Sequence, residues 1–146
     1  MTPDQSYDLA IFALTIFREA RGESYLAKRA VASVIRNRYT HPGWWGKSAA
    51  AVCTRPLQFS AMTAKNDPNL TVWPNPDNAA WHDCLSIAAA VYSDTMADNT
   101  NGADHYLAPT ALPVLPKWAA DPADPAKLNE ALVTARIGNH VFMKLT

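Results

Sequence analysis

The chain has 146 residues, of which 49% are hydrophobic and 18% charged, and its formal net charge is zero. That composition suits one folded domain with a core of its own and excludes a disordered chain. Zero net charge, with no block of like charge at either end, removes the electrostatic case for nucleic acid or an anionic membrane surface as partner.

The first helix has a readable start. Thr2 is its expected N-cap, Pro3 its first residue and Gln5 the capping-box partner. No basic region or small-residue cleavage site precedes it, so no export signal is read there. The apolar run Leu9–Phe17 is too short to cross a bilayer, so no stable membrane insertion is expected. The helix is predicted to reach Ala20 or Arg21, with Gly22 as a left-handed cap. Ser24 then caps a second helix from Tyr25 to Tyr39, carrying Leu26, Ala27, Ala30, Val31, Val34 and Ile35 at helical spacing. Arg36 and Arg38 close it with charge suited to a helix C-terminus.

A loop is expected over His41–Gly46, where Trp44 and Trp45 are adjacent and so point apart. A short helix is expected over Lys47–Cys53, an irregular stretch over Arg55–Ser60 and a long loop over Asn66–Pro76. Asp77 or Asn78 starts an amphipathic helix predicted to end near Ala97. Its apolar face holds Trp81, Cys84, Leu85, Ala88, Val91, Tyr92 and Thr95. Asn99–Gly102 reads as a turn, and a proline-punctuated stretch runs from His105 to Pro125. Residues Ala131–Ile137 and His140–Leu145 are predicted to pair as a hairpin across Gly138-Asn139; a helix from Pro125 to Arg136 is the alternative. Cys53 and Cys84 read as buried thiols in preference to one disulfide. No cysteine or histidine spacing forms a metal site, and no cofactor is expected.

The run Phe17–Glu23 places two carboxylates where an apolar helix ends. A carboxyl there meets unpaired helix carbonyls and is partly desolvated, and both favour its protonated form. A carboxylic acid that keeps its proton near neutrality is what cleavage of a glycosidic bond needs. Glu19 is the leading candidate, with Arg18 and Arg21 pulling the other way if they face it. Glu23 is a second catalytic carboxylate or, on the structural reading, an acid at the start of the next helix. Gln58 and Ser60 offer neutral hydrogen bonds for a saccharide, with Phe59 as anchor of their loop. His105, Tyr106 and Trp118 are candidate sugar contacts.

These elements resemble a known family. Glu19-Ala20-Arg21-Gly22-Glu23, followed by Ala30–Arg38, is similar to the opening signature of the spore cortex-lytic enzyme family of cell wall hydrolases. Gln58-Phe59-Ser60, the helix begun by Trp81, Gly102–Tyr106, Pro116-Lys117-Trp118 and Ile137–Phe142 resemble its later elements in the same order. The resemblance covers nearly the whole chain. It implies a lysozyme-like fold and cleavage of peptidoglycan glycan strands between N-acetylmuramic acid and N-acetylglucosamine, typically as a lytic transglycosylase, with Glu19 as the catalytic carboxyl. Two departures stand out: Met143 follows Phe142 where the family often has tyrosine, and Asp104 fills the family's threonine-type position before His105. The family includes phage-encoded lysins, a branch that suits a compact chain released from the cytoplasm to act at the cell wall.

The combined expectation is a mainly helical α+β, lysozyme-like single domain over residues 1–146, with a short C-terminal β-hairpin. It would act as a monomer on glycan strands through Glu19, with Glu23 as a less certain partner. The alternatives are a hydrolysing muramidase and a non-catalytic peptidoglycan-binding or virion module.

Overall fold

The computed structural model describes residues 1–41 and 44–146. Pro42 and Gly43, part of the loop expected over His41–Gly46, lie outside the described residues.

Helix α1 (Pro3–Ala20) begins as its sequence dictates. The Thr2 hydroxyl accepts the Gln5 N–H at 3.2 Å, and the Gln5 side chain accepts the Thr2 N–H at 2.8 Å. This capping box satisfies two of the donors a helix start leaves free. The helix ends with Arg21 as C-cap, and Gly22 is not among the residues of positive φ. The left-handed cap expected at Gly22 is therefore absent. The Glu23 N–H instead bonds the Ala20 carbonyl at 2.9 Å, and Ser24 at once caps α2 (Tyr25–Thr40).

Helix α3 (Ala49–Thr54) is capped by Ser48, and α4 (Ser60–Thr63) is a single turn. Helix α5 (Ala79–Tyr92) starts at the Asn78 cap and stops short of Ala97. Asp94 takes a left-handed φ of 60°. Its N–H returns to Val91 at 3.2 Å, and the Thr95 N–H returns to Ala90 at 2.8 Å. This is a Schellman closure with aspartate in the place usually held by glycine. The buried stripe of α5 is Cys84, Ile87, Ala88 and Val91. Leu85, expected inside, lies outside that i, i+3, i+4, i+7 set and is exposed.

Helix α1 runs through the middle of the helical layer, against α2, α3 and α5. Phe12, Ile16, Ile35, Val52, Ile87 and Val91 fill the space between them. Truncating Phe12 to alanine there would cost about 3–5 kcal/mol. Cys53 and Cys84 are both buried free thiols.

The C-terminal part is a small antiparallel sheet with strand order β1-β5-β4, together with a two-stranded β2-β3 ribbon. The strands are β1 (His105–Leu107), β2 (Ala120–Asp121), β3 (Asp124–Leu128), β4 (Val133–Ile137) and β5 (His140–Met143). The predicted hairpin is β4-β5, closed by the Ile137–His140 pair, with Gly138 at φ 57° in its turn. The alternative helix over Pro125–Arg136 is replaced by strand β3 and the first half of β4. The central strand β5 is paired on both edges, and its neighbouring residues Phe142 and Met143 pack into separate apolar clusters and are fully buried. Phe142 packs with Ala30 and Val34 of α2 and with Ala103, which fixes β1 beside the C-terminal end of α2. Among the described residues, no helix is long and apolar enough to cross a membrane.

Candidate active site

The end of α1, the end of α2, the Leu57–Ser60 segment and β1 converge on a cleft of about 720 Å³. Glu19 lies on its wall with Gln58, Phe59, Ser60, His105, Tyr106 and Trp118. All but one of the residues singled out from sequence are therefore brought together. The exception is Glu23, which is not among the cleft-lining residues. It follows the end of α1, and its carbonyl accepts the Lys28 ammonium at 2.6 Å. Because α1 stops at Ala20, the two glutamates do not share a helical face.

Glu19 is half-buried in the last turn of α1, one residue before its end at Ala20. Its carboxyl pKa is pushed from 4.5 up to about 7. Burial is the main cause, the negative charge of Asp67 adds to it, and the Arg38 cation opposes both. Among the described residues, no ion pair engages Glu19. The neighbouring cations are turned away from it. Arg18 bonds the Val72 carbonyl at 2.9 Å and lies over Trp73, and Arg21 bonds the Asn69 side chain at 2.8 Å. The guanidinium that acts on Glu19 comes from the next helix.

That residue, Arg38, was read from sequence only as charge at the end of α2. It is buried. Its Nε donates to the Asp104 carbonyl at 2.7 Å and its Nη1 to Gln58 Oε1 at 3.2 Å. The guanidinium also lies over Trp45, 5.4 Å from the ring centre, and over Phe59 at 5.3 Å. Arg38 thus ties the Gln58 segment to the start of β1 across the floor of the cleft. Burial lowers its pKa, yet a guanidinium stays charged in this range. Asn37 does related work, donating to Asp98 at 3.0 Å and to the Ala103 carbonyl at 2.8 Å, which secures the turn leading into β1.

Ser60 donates its hydroxyl to Asp67 at 2.6 Å. That bond is the first cause holding the Asp67 carboxyl below 3.8, so Asp67 is ionised at neutral pH while Glu19 still keeps part of its proton. Asp67 was not anticipated, because it is joined to the cleft through Ser60 rather than by its own position. Phe59 is buried and anchors its loop. Leu57 beside it has a left-handed φ of 70° and is 96% exposed. Leu57 and Leu112 complete the apolar lining and were also missed. An exposed leucine with strained backbone has no signature in the sequence.

His105 is held between indoles. Its ring centre is 4.8 Å from that of Trp118 and 5.9 Å from that of Trp45. Trp45 is buried and Trp44 62% exposed, as adjacency predicts. Burial pulls the His105 pKa below 6.5, so the ring is neutral at pH 7. Tyr106 is raised well above 10, by burial first and then by the charge of Glu19, and stays a neutral phenol. Apart from Arg38 and the half-titrated Glu19, the described cleft wall at neutral pH is therefore uncharged, with polar, aromatic and leucine side chains. Among the described residues, no group of three or more histidine, cysteine or carboxylate side chains gathers where it could hold a metal ion.

A family described as Cell Wall Hydrolase matches residues 22–143. The chain belongs to that family. The match begins just after Glu19, so the case for that residue rests on the cleft. The chain is 27% identical over 135 residues to a spore cortex-lytic enzyme of Halalkalibacterium halodurans, an alignment covering 92% of the chain and 34% of the relative. The chain thus spans about a third of that curated relative's length. Among solved structures it resembles the catalytic domain of the germination-specific lytic transglycosylase SleB from Bacillus anthracis. The TM-score is 0.64 at 25% identity, over 94% of this chain and 93% of that one. The catalytic domain of the Bacillus cereus SleB protein gives 0.63 at 27% identity, over 94% and 89%. The mainly helical fold with a small C-terminal sheet is shared with these domains.

Proposed function

We propose that the chain cleaves the glycan strands of peptidoglycan at the bond between N-acetylmuramic acid and N-acetylglucosamine, with Glu19 as the catalytic acid and base. The observation that carries this reading is a carboxyl of pKa about 7 on the wall of a cleft otherwise suited to a neutral sugar chain. Gln58 and Ser60 offer hydrogen bonds to acetamido and hydroxyl groups, and Tyr106 and Trp118 offer faces to sugar rings. The bacterial cell wall is the corresponding place of action, and the likeness to the Bacillus anthracis lytic transglycosylase supports the same chemistry.

Protonated Glu19 gives its proton to the bridging oxygen while positive charge develops at the muramyl C1. The new carboxylate then steadies that charge. Among the described residues lining the cleft Glu19 is the one carboxyl, and that supports intramolecular closure over attack by a water molecule. The muramyl C6 hydroxyl bonds to C1, and its proton restores Glu19. The product ends in a 1,6-anhydro ring, the outcome of a lytic transglycosylase.

One observation favours a second reading. Asp67 is ionised and its charge is felt at Glu19. A water activated by Asp67 would make the chain a hydrolysing muramidase. A non-catalytic wall-binding module is disfavoured by a Glu19 that has no ion-pair partner among the described residues. Mass spectrometry of digested sacculi tests these readings together. Transglycosylation gives anhydro ends lighter by one water than the reducing ends of hydrolysis, and Glu19→Gln releases neither. Release of muropeptides by that variant would overturn the assignment.

A further inference from the structure

The pair Asp104–His105 is unusual in how completely one side of it is tied down. The Asp104 carboxylate accepts His105 Nδ1–H at 2.8 Å, the Leu145 N–H at 2.9 Å and the Thr146 N–H at 3.1 Å, and it also accepts the Thr146 hydroxyl. Burial alone would raise this carboxyl. The donors from Thr146, His105 and Leu145 outweigh burial and hold it below 3.8. An ionised acceptor at Nδ1 fixes the proton of the neutral ring on that nitrogen. The ring cannot turn away, because Trp118 and Trp45 pack against it. Nε2 therefore carries a free lone pair. It has no hydrogen-bond partner among the described residues, it is not sealed from solvent, and the ring lines the same cleft as Glu19.

We propose that His105, oriented by Asp104, takes the proton from the sugar hydroxyl that attacks C1. This rests on the glycan-cleaving reading and changes one step of it: His105 receives the C6 hydroxyl proton first, and Glu19 regains its own afterwards. As the C1–O bond breaks, its electron pair goes to the leaving oxygen, which receives the proton of Glu19. The muramyl C6 oxygen forms the new bond to C1, and its proton moves to His105 Nε2. The resulting imidazolium faces the Asp104 carboxylate. His105 now holds one proton more and Glu19 one fewer. Transfer between them through water restores both.

The charged and titratable groups around the ring fit this role. Arg38, from α2, disfavours a permanent charge on His105 and so keeps it ready as a base, while Asp104 supports the charge once formed. Glu19 from α1 and the neutral phenol of Tyr106 share the cleft. On the far side of Asp104, His41 and Lys144 border a separate small cavity and do not line the cleft.

The test compares His105→Gln, Glu19→Gln and wild type on purified sacculi across pH. A lost base lowers kcat by about 100- to 10,000-fold with little change in KM. The wild-type fall in kcat on the acid side, below 6.5, disappears in His105→Gln. A kcat within threefold of wild type, or a retained acid limb, overturns the inference. If His105→Gln does not fold, the ¹⁵N spectrum of wild-type His105 decides: a proton on Nδ1 and a bare Nε2 at pH 7 support the proposal, and the opposite tautomer ends it. Inactive Glu19→Gln beside fully active His105→Gln removes this inference alone. Active Glu19→Gln removes the reading beneath it.

Discussion

Replacing Glu19 by glutamine should make the protein more stable at alkaline pH while disabling it. The native carboxyl titrates at about 7 against 4.5 for the unperturbed group. The folded state therefore binds this proton more tightly than the unfolded state does. Stability is greatest below pH 4.5 and falls as pH rises toward 7, after which the loss is complete. At roughly 1.4 kcal/mol per pH unit, the shift corresponds to about 3 kcal/mol. Glutamine has nearly the same shape and does not ionise. Glu19→Gln should match wild type near pH 4 and exceed it by up to about 3 kcal/mol at pH 8. Urea unfolding followed by tryptophan fluorescence at several pH values measures the gap directly. A difference between the two proteins that stays constant from pH 4 to pH 8 would refute the reasoning, because Glu19 would then carry no excess proton affinity in the fold.

Two further substitutions probe the surroundings of Glu19. Asp67→Asn removes a negative charge that raises the Glu19 pKa, so the alkaline limb of the activity profile should move to lower pH; a pH–rate series checks the direction. Arg38→Ala should cost about 2–4 kcal/mol in a denaturant titration, because it leaves the Asp104 carbonyl without its donor and empties a buried site. The same variant removes the one cation opposing protonation of Glu19, so the carboxyl pKa should rise above about 7.

What could be read from the chain beforehand was mostly local. The box Thr2-Pro3-Gln5, the caps Ser24 and Asn78 and the turn Gly138-Asn139 act within a few residues, so sequence exposes them. The cleft residues Gln58, His105 and Trp118 were legible through ordered motifs, not through their individual chemistry. The role of Arg38 was hidden, because it depends on partners 20 and 66 residues away. Asp94 was missed as a helix stop because aspartate seldom takes the left-handed cap, and Gly22 was over-read because glycine often does. Glu23 drew attention by its spacing from Glu19, a spacing that means little once the helix ends between them.

The proposed cleavage depends on a proton held by Glu19 at neutral pH inside the cleft. A ¹³C NMR titration of the Glu19 side-chain carboxyl, with Glu19→Gln used to assign its signal, reads that proton directly. The expected midpoint is near 7. A midpoint near 4.5 would contradict it, since the group would then be an ordinary carboxylate with no proton to give.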